Sequence, residues 1–258
     1  MSTPKGSPPQ TIRAVVFDWR GTLVSELTPK RWAEEALKRA RRESHDAAVS
    51  QLLLDIKMAA GQPNRLQSPR GNISYAAHRD TYYQVFTDAK LSSEVADALF
   101  HVDSDPSFNK FAVDAAATLI ALKQSGYKIC VLSNIHFDIR PVFKDANLLD
   151  LIDTFVLSNE EGVQKPDPAI FERALEKLGT CAAETMMVGD RASRDGVAVE
   201  IGMPTLLVPA LTDPQQRRLH LVTSAVGVDL GMLPPVQNDS TPNACKGIPD
   251  SRRQGALT

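Results

Sequence analysis

Cysteine is scarce. Cys130, Cys181 and Cys245 stand far apart with no CxxC spacing, which excludes a disulfide framework or a zinc knuckle and leads us to expect a reducing, cytoplasmic setting. Aromatic residues make up 6% of the chain, and its two tryptophans, Trp19 and Trp32, are too few for a base-stacking surface. An excess of one charge is also lacking. Lys+Arg number 29 and Asp+Glu 31, a formal balance of −2, so nothing draws the chain generally to nucleic acid or to an anionic membrane. The basic run from Lys38 to Arg42 is flanked by Glu34, Glu35 and Glu43 and reads as a solvated helix face. No run of ~18 apolar residues exists to span a membrane, and MSTPKGSPPQ, with one positive side chain and no apolar run, does not read as a secretory signal. No repeat of ~20–50 residues points to a solenoid or propeller.

What is present is an ordinary globular composition, 43% apolar and 23% charged over 258 residues. That length suits one large domain or one domain with an insertion. The tail from about Pro234, rich in Pro, Asn, Ser and charge without periodicity, buries too little apolar area to offset its ordering entropy. Residues 1–11 and 234–258 are therefore expected to be disordered. Between them lie short continuous apolar runs at 14–18, 128–133, 154–158, 185–190 and 204–209. Continuous runs fit strands covered on both faces. Helical stretches alternate with them, and 168–179 is the clearest, opening on Pro168 and stopping at Gly179. Such βαβ order predicts an α/β fold with a Rossmann-like, doubly wound parallel sheet.

One interval departs from this rhythm. Residues 26–111 hold four helical patterns, near 30–44, 46–60, 73–88 and 92–101, and no strand run. Leu52, Leu53, Ile56 and Met58 are expected to form the apolar face of the second, and Tyr75, Tyr82, Val85 and Phe86 that of the third. The expected organisation is a core of 12–25 and 112–233 with an all-helical insert at 26–111. The insert leaves the sheet at the carboxyl ends of its strands, where ligands bind in open α/β sheets and where it can form a lid.

The chemistry-bearing residues fall at those strand ends. Asp18 follows the first strand and leads into WRGTL, with a tight turn at Gly21. Asp190 ends the fourth strand in VGDRASRD, and Asp195 follows five residues on. Three converging carboxylates repel one another unless a cation sits among them, and oxygen-only ligands favour Mg2+. Ser133 and Asn134 end the second strand, and Lys165 lies in GVQKPDP just before a helix. A hydroxyl, free backbone N–H groups and an ammonium suit a cluster of phosphoryl oxygens.

In order, FDWRGTLV, VLSN, GVQKPDP and VGDRASRD resemble the four motifs of the haloacid dehalogenase superfamily over roughly residues 12–210. The resemblance implies that Asp18 attacks phosphorus to form an aspartyl-phosphate and that Lys165 neutralises nucleophile and phosphate. It implies Ser133, Asn134 and Thr22 as substrate-binding residues, and Mg2+ held by Asp18, Asp190, Asp195 and the Arg20 carbonyl. The insert is similar to the family's helical cap, which encloses small substrates, so a small phosphorylated metabolite is expected. The protein would act as a monomer or homodimer without nucleic acid or membrane.

Arg20 departs from the pattern. Phosphatases of the family carry a second Asp there as general acid–base, and a guanidinium stays protonated and cannot replace it. Two other readings follow for Arg20, pairing with an acid such as Asp195 or gripping a substrate anion as a fork. Phosphonoacetaldehyde hydrolases have a similar Asp-Trp-Ala-Gly-Thr segment, but they need a cap lysine, and Lys57 lies in a dissimilar setting. Haloacid dehalogenases proper also lack the second acid, yet need no metal, which Asp190 and Asp195 argue against. A silent phosphate-binding protein is the remaining alternative. Lys57, Arg65, Arg70, His78 and Arg79 are the insert's candidates for substrate contact, and His136 is expected on a surface loop or as a replacement acid–base.

Overall fold

The computed structural model describes residues 11–228 except Pro69, so almost all of the segments read as disordered, and residues 229–233 of the expected core, lie outside the described residues. Five strands, β1 (Ala14–Phe17), β2 (Lys128–Ser133), β3 (Thr154–Leu157), β4 (Thr185–Gly189) and β5 (Thr205–Leu207), form one sheet in the order β3-β2-β1-β4-β5. Every neighbouring pair is parallel.

The sheet explains the continuous apolar runs. Along β1, Val15 and Phe17 pack into one buried cluster and Ala14 and Val16 into a second on the opposite face, so no position is left for a polar residue. Most strands end a residue or two before their apolar runs do. Asp18 and Asp190 therefore stand one residue beyond the paired ladder, on chain already leaving the sheet. The crossovers go to one side of β1 and then to the other, which puts the topological switch point between β1 and β4.

Between β1 and Phe111 the chain builds four helices, α1 (Pro29–Arg39), α2 (Asp46–Ala60), α3 (Tyr75–Asp88) and α4 (Ser93–Asp103), around a hydrophobic cluster of their own. Local signals start them: Thr28 caps α1 by accepting from the Arg31 amide with Pro29 in the first turn, and Ser74 caps α3 through the Ala77 amide. The first helix ends five residues earlier than its pattern suggested, with Arg41 at φ 55° just beyond it. On α2 the buried residues are Val49, Leu52, Ile56 and Ala60, whereas Met58 is 73% exposed. Met58 lies two residues, more than half a turn, from Ile56, so the 3.6-residue period carries it to solvent. Tyr75 is likewise 52% exposed at the start of α3. Both departures shift the faces read from sequence by part of a turn.

The two ends of this helical segment leave the sheet side by side. Val24 pairs antiparallel with Phe111, Ser25 N–H donates to Lys110 O at 2.8 Å and Ala112 N–H to Leu23 O at 2.9 Å. Beyond it come α5 (Ala115–Gln124), α6 (Arg140–Asp145), α7 (Ser158–Glu161) and α8 (Pro168–Leu178), the last capped by Asp167 and closed by Gly179 at φ 62°. Ser158 Oγ donates to Asn72 O at 2.6 Å and Gln164 Oε1 accepts from Asn72 N–H at 2.7 Å, which ties the helical segment down near the sheet's carboxyl edge. No helix among the described residues is long and apolar enough to cross a membrane.

Candidate active site

A cavity of about 510 Å³ opens over the carboxyl ends of β1, β2 and β4, and Asp18, Ser133, Asn134, Lys165, Asp190 and Asp195 all line it. Asp18 is placed by its N–H bond to Val188 O at 2.8 Å and by the turn behind it, in which Trp19 O accepts from the amides of Thr22, Leu23 and Val24. Gly21 makes that turn with φ 85°, and a Cβ there would come within 2.5 Å of Asp190 Oδ2, so glycine serves both conformation and close approach. Thr22 Oγ1 donates to Asp18 Oδ2 at 3.3 Å.

Lys165 is the buried centre of the group. Its Nζ donates to Asp18 Oδ1 at 2.5 Å, to Asp195 Oδ1 at 2.6 Å and to Leu132 O at 3.3 Å. Burial works against its charge, but Asp18 and Asp195 outweigh it and raise its pKa. Asn134 fixes the lysine's backbone, donating from Nδ2 to Lys165 O and accepting at Oδ1 from Lys165 N–H, both at 2.8 Å. Its side-chain amide is thus engaged by this loop, while Ser133 ends β2 at the cavity wall.

The acids differ in what they already hold. Asp195 is spoken for on both oxygens, by Lys165 and by the Arg191 amide at 3.0 Å, and it lies so close to Gly189 that a Cβ there would meet its Cγ at 2.3 Å. Asp190 keeps a buried Oδ1 with no hydrogen-bond partner, and burial raises its pKa against the opposing charge of Arg191. Burial likewise raises Asp18, to about 7, with Lys165 opposing. Asp18, Asp190 and Asp195 each offer an oxygen within 4.8 Å of the others. Lys165 pairs with Asp18 and Asp195, and Arg191 stands 3.8 Å from Asp190 Oδ2, so the orphaned Asp190 Oδ1 among three clustered carboxylates is the feature of an all-oxygen donor set that fits a hard divalent cation.

Arg20 pairs with an acid, but not with Asp195. Its guanidinium donates to Asp103 O at 2.8 Å and Asn109 Oδ1 at 3.3 Å, lies 3.8 Å from the Asp103 carboxylate, and sits 5.5 Å from the ring centroids of both Trp19 and Phe137. Asp103 ends α4, so Arg20 bolts the helical segment to the turn after β1. Despite its burial, Asp103 is held down to about 2 by its bond from His78 and by Arg20, so it stays ionised.

His136 is not on the surface. It is 1% exposed, stacked on His78 at 3.6 Å with 6° between the rings, and bonded through Nε2 to Ser104 Oγ at 2.8 Å. Burial and the neighbouring His78 and Arg20 lower its pKa to about 3, so it is neutral at ordinary pH. His78, Asp103 and His136 are near enough to suggest a second metal site. The stacking argues against one, since parallel rings direct their in-plane lone pairs along separate planes and a single ion lies in both only if they tilt. Of the insert's other candidates, only His78 lines the cavity; Lys57, Arg65, Arg70 and Arg79 do not. Arg65 instead bonds Asp88 and Ala59 O, and Arg79 covers the Tyr83 ring.

A family model for the haloacid dehalogenase-like hydrolases matches residues 12–198, which include all four strand-end clusters. The chain belongs to this family. Among relatives of this hydrolase, the zebrafish (Danio rerio) haloacid dehalogenase-like hydrolase domain-containing protein 3 is 26% identical over 193 residues, 71% of this chain and 79% of that protein. The phosphoglycolate phosphatase of Rhodospirillum rubrum is 28% identical over 199 residues, 76% and 79% of the two chains. A solved 2-haloacid dehalogenase from Pseudomonas syringae shares the fold with a TM-score of 0.58 at 21% identity, over 84% of this chain and 99% of that one.

The hydrolase's strand-end residues were legible as motifs, but Asp103 and Tyr82 were not legible as cavity residues. Nothing in their spacing assigns them to the site, because they reach the cavity only through the packing of α3 and α4 over the sheet.

Proposed function

We propose that this hydrolase cleaves a small phosphorylated metabolite through an aspartyl-phosphate on Asp18, with Mg2+ as cofactor. The observation that carries the reading is the buried, all-oxygen group of Asp18, Asp190 and Asp195 with its unpartnered Asp190 Oδ1, set against Lys165. Asp190, Asp18 and the Arg20 carbonyl would hold the ion, and Asp195 would stand behind it, orienting Lys165. When bound, the ion supplies charge stabilisation to phosphoryl oxygens and to the nucleophile.

The chain's own part follows from the geometry. Lys165 keeps one Asp18 oxygen hydrogen-bonded and the carboxylate oriented for in-line attack, the buried Thr22 donates to the other Asp18 oxygen from behind it, and Ser133 binds phosphoryl oxygen at the cavity wall. Asp18 forms a bond to phosphorus as the leaving oxygen departs and takes its proton from solvent water, and a second water then attacks phosphorus, gives its proton to solvent, releases phosphate and restores the carboxylate. Position 20 donates no proton to the leaving oxygen, and Asp103, held ionised, is no donor either. The helices at 26–111 act as a cap that limits substrates to small molecules, consistent with a protein working in the cytoplasm as monomer or homodimer, away from nucleic acid and membrane.

Hydrolysis of a carbon–halogen bond by the same Asp18 is the second reading, favoured by Arg20 at the place of the phosphatase acid. The test is release of phosphate from a panel of phosphomonoesters, and of halide from 2-haloacids, with Mg2+ and with chelator. The expected result is Mg2+-dependent phosphate release that Asp18→Asn abolishes with the fold intact. Halide release in chelator, or full activity of Asp18→Asn, overturns it.

A further inference from the structure

A volume of about 510 Å³ is within the range of about 300–1,000 Å³ typical of small-molecule sites, so the cavity holds more than a phosphoryl group. Its wall carries four cationic side chains, Arg20, Lys165, Arg191 and Arg194. Three are already matched. Lys165 lies between Asp18 and Asp195, Arg20 is held by Asp103 and Asn109, and Arg191 pairs with Glu26. Arg194, among the described residues, has no hydrogen-bond or ion-pair partner for its guanidinium, although the side chain is half-buried. Arg194 lines the same cavity wall as Asp18 and Asp195, so its guanidinium faces the space above the nucleophile. A partly desolvated cation with no counter-ion is costly until an anion binds it.

Arg194 enters the cavity from a different loop than the proposed phosphoryl-binding groups. Ser133 ends β2 and Lys165 precedes α8, whereas Arg194 lies in the loop after β4, and β2 and β4 flank β1 on opposite sides. A planar guanidinium with its donors free matches a carboxylate in a two-pronged contact. We infer that Arg194 is a specificity residue for a carboxylate on the leaving group, so that the substrates are phosphomonoesters of hydroxy acids, an inference that rests on the hydrolase reading above.

The test compares kcat and KM for 2-phosphoglycolate and for ethyl phosphate, similar in size and differing in the carboxylate, in wild type, Arg194→Ala and Arg194→Lys. One charge-assisted contact gives about a tenfold or larger preference in KM for the carboxylated ester. Arg194→Ala is expected to erase it while leaving kcat and the constants for ethyl phosphate within about twofold, and Arg194→Lys to recover part of it. Equal loss on both esters would mean that Arg194 binds the phosphoryl group, and no change on either would mean that it binds neither; each overturns the inference. If neither ester is hydrolysed, the phosphatase reading fails by itself, and Arg194 is then judged by calorimetric titration with 2-phosphoglycolate and with inorganic phosphate. There the wild type must favour 2-phosphoglycolate about tenfold and Arg194→Ala must lose the preference; equal binding, or an unchanged variant, overturns the inference.

Discussion

Replacing Lys165 by Met removes the one ammonium between two buried carboxylates while keeping most of its length and apolar volume. Lys165 is 2% exposed and Asp195 1%, so water screens neither strongly. The oxygens of Asp18 and Asp195 lie within 4.8 Å of each other, and at an effective dielectric constant of about 20 two unit charges at that separation repel by roughly 3–4 kcal/mol while both carboxylates are ionised. Breaking a buried ion pair by removing one partner costs about 3–5 kcal/mol, which agrees. At roughly 2–4 °C per kcal/mol for a chain of this size, Tm should fall by about 10 °C at pH 7.5 in chelator. The pH dependence follows from Asp18, whose carboxyl is raised from 3.8 to about 7 by burial even with Lys165 opposing. A raised folded pKa contributes stability that is full below the unfolded value and lost as pH rises through the folded one. Without Lys165 that shift grows, so the Tm difference between variant and wild type should shrink as pH falls from 7.5 to 5. Added Mg2+ should narrow it at pH 7.5 by replacing the lost positive charge. Thermal melts across this range, with chelator and with Mg2+, decide the matter. A difference under about 2 °C at pH 7.5, or one that widens on acidification, refutes the argument.

Asp190→Ala should weaken Mg2+ binding far more than Asp195→Ala, since Asp190 has a free oxygen whereas both of Asp195's are taken; calorimetry showing equal loss would contradict this. Arg20→Ala loses two hydrogen bonds to Asp103 O and Asn109 and should destabilise by about 1–3 kcal/mol in denaturant titration. Arg20→Asp puts a carboxylate against Asp103 and should lower kcat as well as stability; a tenfold rise in phosphatase kcat would show that position 20 lacks only its acid. Gly189→Ala drives a methyl into Asp195 Cγ and should loosen Lys165, abolishing turnover with a smaller loss of Tm than Lys165→Met causes.

The sequence by itself determined the sheet, the helical insert and which side chains gather at the strand ends, because each is written in local chemistry. Both faces of every central strand are buried, so the strands read as unbroken apolar runs, and the acids that line the cavity follow at the points where the ladder ends. Caps at Thr28, Ser74 and Asp167 mark helix starts with the same local clarity. Tertiary structure alone decided the partners. Arg20 meets Asp103, 83 residues away, only because α4 ends over the turn after β1. His136 is buried against His78 because α3 lies on that loop, and no periodicity in SNIH foretells it. Arg194 reads as one more charged loop residue until the neighbouring cations are seen to be paired. Local pattern fixes which atoms a strand end presents, but charge pairing and burial depend on distances between segments far apart in the chain, and those distances exist only once the helices have packed on the sheet.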